Sequence, residues 1–308
     1  YNLNIKNYKS PVTIFYLRNI LKKLIKNKKT IVHAHLTWPL YFLPFATKGL
    51  KTINIYTEHN TFNRRRNYPF LKPIERYIYS KYFKITCISE GTKKNLLKWL
   101  EKRIDLKKFI VIHNGSRLLK FVSRKKLNKK QLKLISIGSL SKQKGFDITI
   151  ESIAKLKNNV KSYTILGEGD QKKNIIKLAN KFRVKNKIIL PGYVRNIESY
   201  LSKADIGIIP SRWEGFGLAA VEMLSTGLPL VCSNVSGLRE VVKKCNSVKL
   251  VSPNDPQKFA DTILDFTKYI NAVGIKQISK EARKHSKKFN IDFMINKFAN
   301  LYINSLKE

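Results

Sequence analysis

Two rhythms alternate along the chain. Short runs rich in Ile, Val, Thr and aromatic residues are followed by longer stretches in which apolar positions recur every third or fourth residue, the pattern of parallel strands joined by crossover helices. The first series predicts strands at 30–34, 52–57, 85–88 and 109–112, with helices near 12–27, 69–83 and 90–101, the last capped by Ser89. A Lys-rich stretch over 116–133, poor in strand formers, then reads as an interdomain linker. The second series predicts strands at 134–137, 163–166, 188–190, 205–209, 230–232 and 248–251, with helices near 145–156, 171–183, 218–225 and 256–269. A last helix, from 290 to about 304, aligns Ile291, Ile295, Phe298 and Tyr302 on one stripe that must pack on something. The class is therefore α/β, with one domain over 1–130 including the linker, a second over 131–289, and a helix over 290–308 returning toward the first. Several strands of the second series end in Gly138, Gly167, Pro191–Gly192 and Pro210, so their ends meet loops along one edge, where open α/β sheets bind ligands.

Composition narrows this picture and charge alters it. The 308 residues suffice for two separate cores, and the abundance of Leu, Ile, Val and aromatics excludes a disordered chain. The longest purely apolar run, 38–46, falls well short of the ~20 residues a membrane span requires. Cys87, Cys232 and Cys245 have no metal-ligand spacing and cannot all pair, which points to a reducing cytoplasm. Basic residues number 61 against 20 acidic, and 32 of the former but only 5 of the latter lie within 1–133. Such a field draws anionic partners, whether nucleic acid, anionic lipid or phosphorylated substrate, although Lys on every solvated face would produce the same count. The triplet Arg64-Arg65-Arg66 reads equally as a lipid- or phosphate-facing loop or as solvated charge.

The densest chemistry lies in Pro210-Ser211-Arg212-Trp213-Glu214-Gly215-Phe216-Gly217-Leu218-Ala219-Ala220-Val221-Glu222. Gly215 and Gly217 flank Phe216 between a buried strand and a helix, so backbone N–H groups and the helix start at Leu218 can face a phosphate. Glu214 precedes those amides and Glu222 lies about one turn inside the helix. Two carboxylates so placed suit sugar hydroxyls on either side of a diphosphate. A glycosidase also uses two carboxylates, but phosphate-ready amides between them would be surplus there. There is no Asp-x-Asp pair, no Gly-Lys-Ser/Thr loop and no His/Cys cluster of zinc spacing, so neither a metal nor a resident cofactor is expected. Gly167-Glu168-Gly169 opens like a dinucleotide fingerprint, yet Lys172 stands where its third glycine belongs, and a tight turn is the better reading.

The segment from Glu214 to Glu222 resembles the E-x7-E motif of the retaining GT-B glycosyltransferases of family 4, also described as glycosyl transferases group 1. Gly138-Ser139-Leu140-Ser141-Lys142-Gln143-Lys144-Gly145-Phe146-Asp147 resembles the opening of that family's donor domain, and Leu166-Gly167-Glu168-Gly169-Asp170 and Pro191-Gly192-Tyr193-Val194 resemble its next strand-end turns. Earlier in the chain His33-Ala34-His35, Thr57-Glu58-His59, Cys87-Ile88-Ser89-Glu90 and Ile112-His113-Asn114-Gly115 resemble the family's strand-end motifs in order. The resemblance implies a GT-B fold: two Rossmann-like domains facing across a cleft. The first is short here, because the chain starts at Tyr1 without Met and enters on a helix rather than a strand and Gly-rich turn; the expectation is that an N-terminal segment is lacking.

By the same resemblance Glu214 contacts the transferred hexose and Glu222 the ribose. The backbone from Gly215 through Phe216 and Gly217 to Leu218 holds the diphosphate, Lys144 pairs with phosphate oxygens, and the base lies near Tyr193 and Val194. Where the family has an Arg after Gly138, this chain has Ser139, so the second phosphate-binding cation is missing or comes from Lys142 or Arg212. His59 is expected to touch the sugar or position the acceptor. His33 and His35 are read as pointing to opposite faces of their strand, and neither is assigned catalysis. The function implied is transfer of a hexose from a nucleotide diphosphate sugar, a UDP-sugar by family precedent, with retention and without metal. The acceptor would be a saccharide or a polyprenyl-phosphate-linked saccharide in surface polysaccharide synthesis, reached from the cytoplasm at an anionic membrane face. The alternatives are a non-catalytic polyanion or nucleic-acid binder, and a truncated transferase that only binds donor. Against the nucleic-acid reading, the chain has neither interleaved aromatic and basic residues of an RNA-recognition type nor a defensible helix-turn-helix.

Overall fold

A computed structural model describes residues 5, 7–156 and 158–308, apart from the side chain of Arg64. In chain order the elements are α1 (Thr13–Ile25), β1 (Thr30–His35), α2 (Thr37–Ala46), β2 (Thr52–Glu58), α3 (Leu71–Ser80), β3 (Lys84–Cys87), α4 (Glu90–Trp99) and β4 (Phe109–Val111). There follow β5 (Leu132–Ile137), α5 (Phe146–Lys155), β6 (Val160–Leu166), α6 (Lys172–Lys181), β7 (Ile188–Gly192), α7 (Glu198–Leu201), β8 (Ile206–Ile209) and α8 (Leu218–Ser225). The remainder is β9 (Leu230–Ser233), α9 (Ser236–Val242), β10 (Val248–Val251), α10 (Pro256–Val273), α11 (Ile275–Ser286) and α12 (Ile291–Lys307). The chain divides into two compact units, Tyr1–Asn114 with Met294–Glu308, and Gly115–Phe293.

The first unit is built on a parallel sheet in the order β1-β2-β3-β4. Its core lies on one face, where Ala34, Tyr56, Ile85, Cys87 and Phe109 from alternate strand positions meet Leu21, Leu40, Leu43, Ile78, Tyr79 and Leu96 from α1 to α4. Helix α4 begins where expected, with the Ser89 hydroxyl accepting the Thr92 N–H at 3.0 Å. On the opposite face the α12 part of this unit contributes Phe298 and Tyr302, whose rings pack against His33. Ile295, expected on the same buried stripe, is instead 52% exposed.

The second unit carries a parallel sheet in the order β10-β9-β8-β5-β6-β7. The order reverses direction between β5 and β8, so the carboxyl ends of these two strands open onto the crevice where doubly wound sheets take ligands. The stretch 116–133, read from the sequence as an interdomain linker, is fastened to this unit over much of its length. Arg124, 8% exposed, donates to the carbonyls of Leu201, Ala204 and Gly227 and to the Thr226 hydroxyl, and Leu127 enters the core. Among the described residues no helix is long and apolar enough to cross a membrane.

Candidate functional site

The loop leaving β8 and the turn leaving β5 meet at the sheet's switch point. A short 3-10 turn, Lys142–Lys144, lies against Ser211–Glu214. The Arg212 N–H donates to the Gln143 carbonyl at 2.8 Å, and Gln143 Nε2 donates to the Trp213 carbonyl at 3.0 Å. Gly145 makes this contact possible: its φ is +65°, and a Cβ there would sit 2.2 Å from the Pro210 carbonyl oxygen. Lys144 is thereby aimed at Glu214, with Nζ to Oε1 at 2.5 Å. Glu214 is 7% exposed and also accepts from the Ser211 hydroxyl at 2.8 Å.

Gly217 opens α8 at φ +100°, a conformation a side chain would strain, and a Cβ there would run into Leu238 at 2.5 Å. Its neighbour Phe216 is buried, its ring edge-on to Phe289 at 5.6 Å. The backbone over Gly215 to Leu218 is thus pinned by one buried ring and one glycine, and it delivers the positive end of α8 beside the Lys144–Glu214 pair.

One turn into α8, Glu222 borders a cavity of about 600 Å³ that is also lined by Gly138, Ser139, Gly167, Tyr193 and Val194. Burial holds the Glu222 carboxyl above its ordinary range, opposed by the Ser116 hydroxyl at 3.5 Å. Gly138 ends β5 with its N–H on the Leu166 carbonyl, and Tyr193 is 74% exposed at the rim. The expected residues Gly138, Tyr193, Val194 and Glu222 therefore share one cavity, with Lys144 and Glu214 on the neighbouring loop contact. Arg212 is directed elsewhere. It donates to both carboxylate oxygens of Asp147 at 2.8 and 2.6 Å and to the Lys142 carbonyl at 2.9 Å. Although burial works against ionisation, this guanidinium keeps the Asp147 carboxyl below its usual range. A second phosphate-binding cation in place of the family's Arg is thus not supplied by a free Arg212; Ser139 lies 3.3 Å from the Ser141 hydroxyl.

In the first unit, His33, His35 and His59 gather at the carboxyl edge of β1 and β2. The expectation that His33 and His35 point apart is wrong, because positions two apart on a strand share a face. Their rings stack with centroids 4.3 Å apart, and His35 Nδ1 lies 3.0 Å from His59 Nε2. His33 is further held by the Tyr302 hydroxyl at 2.6 Å and the Thr57 hydroxyl at 2.7 Å. Burial, then the neighbouring imidazoles, lowers His33 to about 3, and burial also lowers His35 and His59. Because these folded-state values lie below the unfolded ones, the stability they contribute is present above pH ~6.5 and is lost as pH falls from there. The denaturation midpoint is expected to be lower at pH 5 than at pH 7, and His33→Gln is expected to flatten that difference.

The arginine triplet is neither a lipid-facing loop nor solvated charge where it can be described. Arg65 pairs with Glu75 at 3.3 Å and Arg66 with Glu58 at 3.4 Å, both carboxylates being fully buried. The side chain of Arg64 lies outside the described residues. Glu58 also accepts from the Tyr79 hydroxyl at 2.8 Å, which anchors the end of β2 immediately before His59.

A family profile described as glycosyl transferases group 1 matches residues 120–285, and one described as glycosyltransferase family 4 matches residues 2–118. The chain belongs to the glycosyl transferases group 1 family. This transferase is 28% identical, over 97% of its own length and 80% of the relative's, to the Escherichia coli UDP-Gal:alpha-D-GlcNAc-diphosphoundecaprenol alpha-1,3-galactosyltransferase. Its fold is that of GT-B glycosyltransferases. A glycosyltransferase from Rickettsia africae superposes with a TM-score of 0.81 at 23% identity, covering 99% of this chain and 84% of that one. Anabaena HepE in complex with UDP-glucose also gives 0.81, at 16% identity, covering 96% and 84%. Sequence reasoning about the transferase missed Ser211 and Asp147, which orient Glu214 and engage Arg212. Only the placement of Asp147 just after the Lys142–Lys144 turn could have hinted at the latter.

Proposed function

We propose that this glycosyltransferase moves a hexose from a UDP-sugar to a hydroxyl of a lipid-linked saccharide in surface polysaccharide synthesis, with retention at the anomeric carbon. The observation that carries this reading is the Lys144–Glu214 pair set beside the amino end of α8, one helical turn from the Glu222-lined cavity. The base is assigned to the cavity rim at Tyr193 and Val194, the ribose to Glu222, and the diphosphate to Lys144 and the backbone of Gly215 to Leu218. Glu214 takes the hexose, and His59 contacts the sugar or positions the acceptor. The bond from the anomeric carbon to the diphosphate breaks, the acceptor oxygen replaces it, and the hydroxyl proton leaves with the diphosphate. Lys144 and the α8 dipole balance the charge that develops on that leaving group, so no metal is called upon. The acceptor class is supported by the strong cationic excess of residues 1–133 and by what the Escherichia coli relative acts on.

The test is a thermal shift. UDP at 100 times its Kd is expected to stabilise the protein by about 2.7 kcal/mol, with GDP weaker. Glu222→Gln should abolish the UDP shift. Its own melting point should equal or exceed that of the wild type at pH 7, because burial raises the Glu222 carboxyl and the associated stability is lost as pH rises through the folded value. A shift with GDP alone would overturn the donor assignment, and an undiminished UDP shift in Glu222→Gln would overturn the ribose contact.

A further inference from the structure

Helix α3 carries large apolar side chains on both its faces. Its buried side carries Glu75, together with Ile78 and Tyr79, while its solvent side carries Ile74, 50% exposed, and Tyr77, 54% exposed. Phe70, at the amino cap and one turn before Ile74, is 70% exposed, and Tyr68 stands beside it with ring centroids 5.9 Å apart. The spacing 70, 74, 77, 81 follows the helical repeat, so these residues form one outward stripe that ends in Lys81, whose Nζ lies 4.5 Å over the Tyr77 ring. The core does not need these side chains. The inner face is satisfied by Glu75, which accepts from the Tyr41 hydroxyl at 2.5 Å and from Trp99 Nε1 at 2.7 Å. Single exposed apolar residues are ordinary, whereas a continuous stripe of large ones marks an interaction surface.

Charge identifies the occupant. Of the five acidic residues within 1–133, Glu58 and Glu75 are buried against Arg66 and Arg65, and Glu101 is bridged to Lys72 and Arg76. Arg65 and Arg66 are spent on the two buried carboxylates and Arg124 is buried in the second unit, but the region still carries a net +27 from its 32 basic and 5 acidic residues, most of it on exposed lysines. A second copy of a chain carrying +41 is repelled, and an anionic surface is attracted. Protruding Phe, Ile and Tyr side chains beside a lysine that can lay its stem along an aromatic ring suit the headgroup and upper acyl region of a bilayer. We propose that the outer face of α3, Phe70, Ile74 and Tyr77 with Lys81, is the surface on which the protein seats on an anionic membrane. This rests on the reading that its acceptor is lipid-linked.

The test is flotation of the full chain with vesicles of phosphatidylcholine alone or with 30% phosphatidylglycerol. The wild type is expected to bind the anionic vesicles, less so as salt rises. Phe70→Ser/Ile74→Ser/Tyr77→Ser is expected to lose at least about tenfold in partitioning while keeping the UDP shift and an unchanged circular dichroism spectrum. Phe70→Ser alone should give an intermediate loss, and Ile189→Ser, at an exposed position of the second unit, none. Equal binding by the triple variant overturns the proposal, as does a wild type that binds no vesicle. Transfer to a polyprenyl-diphosphate saccharide in detergent is measured in parallel. Transfer without vesicle binding leaves the acceptor reading standing and this surface refuted, whereas vesicle binding that α3 controls, without transfer, does the reverse.

Discussion

Lys144→Ala is expected to lower kcat by about 10²–10³, the usual cost of removing one fixed group that stabilises developing negative charge in a buried site. The ammonium that departs is the one held 2.5 Å from Glu214 and aimed by the Lys142–Lys144 turn. Lys144→Arg should recover little, because a planar guanidinium cannot reproduce a point charge at that position between Gly138 and Glu214. Loss of the lysine also leaves Glu214, 7% exposed, with one fewer partner. A stability change could thus masquerade as a catalytic one. Thermal melting of Lys144→Ala and of Lys144→Met, measured beside UDP release in the presence of acceptor well below either midpoint, separates the two: turnover should stay at the low level even where both variants are fully folded. Turnover within threefold of the wild type in Lys144→Ala would remove this residue from the diphosphate.

Glu75→Ala is expected to cost about 3–5 kcal/mol in the first unit, a large share of the ~5–15 kcal/mol that holds a typical domain folded. Glu75 is wholly buried; the Tyr41 hydroxyl and Trp99 Nε1 donate to it, and the Arg65 guanidinium pairs with it at 3.3 Å. Alanine would strand the Arg65 charge, itself packed 5.1 Å from the Tyr41 ring centroid, and leave the two neutral donors unanswered. Glu75→Gln retains the acceptor oxygen and should cost less. Urea unfolding followed by tryptophan fluorescence tests this, since Trp38 and Trp99 both lie in the first unit. The UDP shift proposed for the second unit serves as the control that should survive. A Glu75→Ala midpoint within about 1 kcal/mol of the wild type would show that the network is dispensable.

These two sites differ in how much of them could be read from residues alone. The strand ends and the Glu214–Glu222 segment were legible because local rules govern them: glycine where the backbone turns, alternation within strands, and an apolar helix start. Helix α2 was not, since Thr37–Ala46 is apolar on every side and contains Pro44, so it has no amphipathic period to detect. Helix α11 was missed because Ile275, Ile278 and Ala282 form a thin stripe among many lysines. The arginine triplet was misjudged for a different reason. Its partners Glu58 and Glu75 come from two other elements, and nothing local distinguishes a buried pair from solvated charge. For His33 and His35 the rule was at hand and misapplied. Arg212 was assigned to phosphate on proximity in sequence, but Asp147, 65 positions earlier, claims it.

The first unit is assembled from two separated stretches of sequence. The ring of Tyr302 closes over His33, yet about 180 residues of the second unit are made between Asn114 and Met294. At the ~5–20 residues per second of synthesis, the four-stranded sheet waits on the order of ten to forty seconds with its His33 and Thr57 side uncovered. Truncation before Tyr302 should therefore injure the part of the protein made first, leaving the second unit, complete by then, comparatively intact.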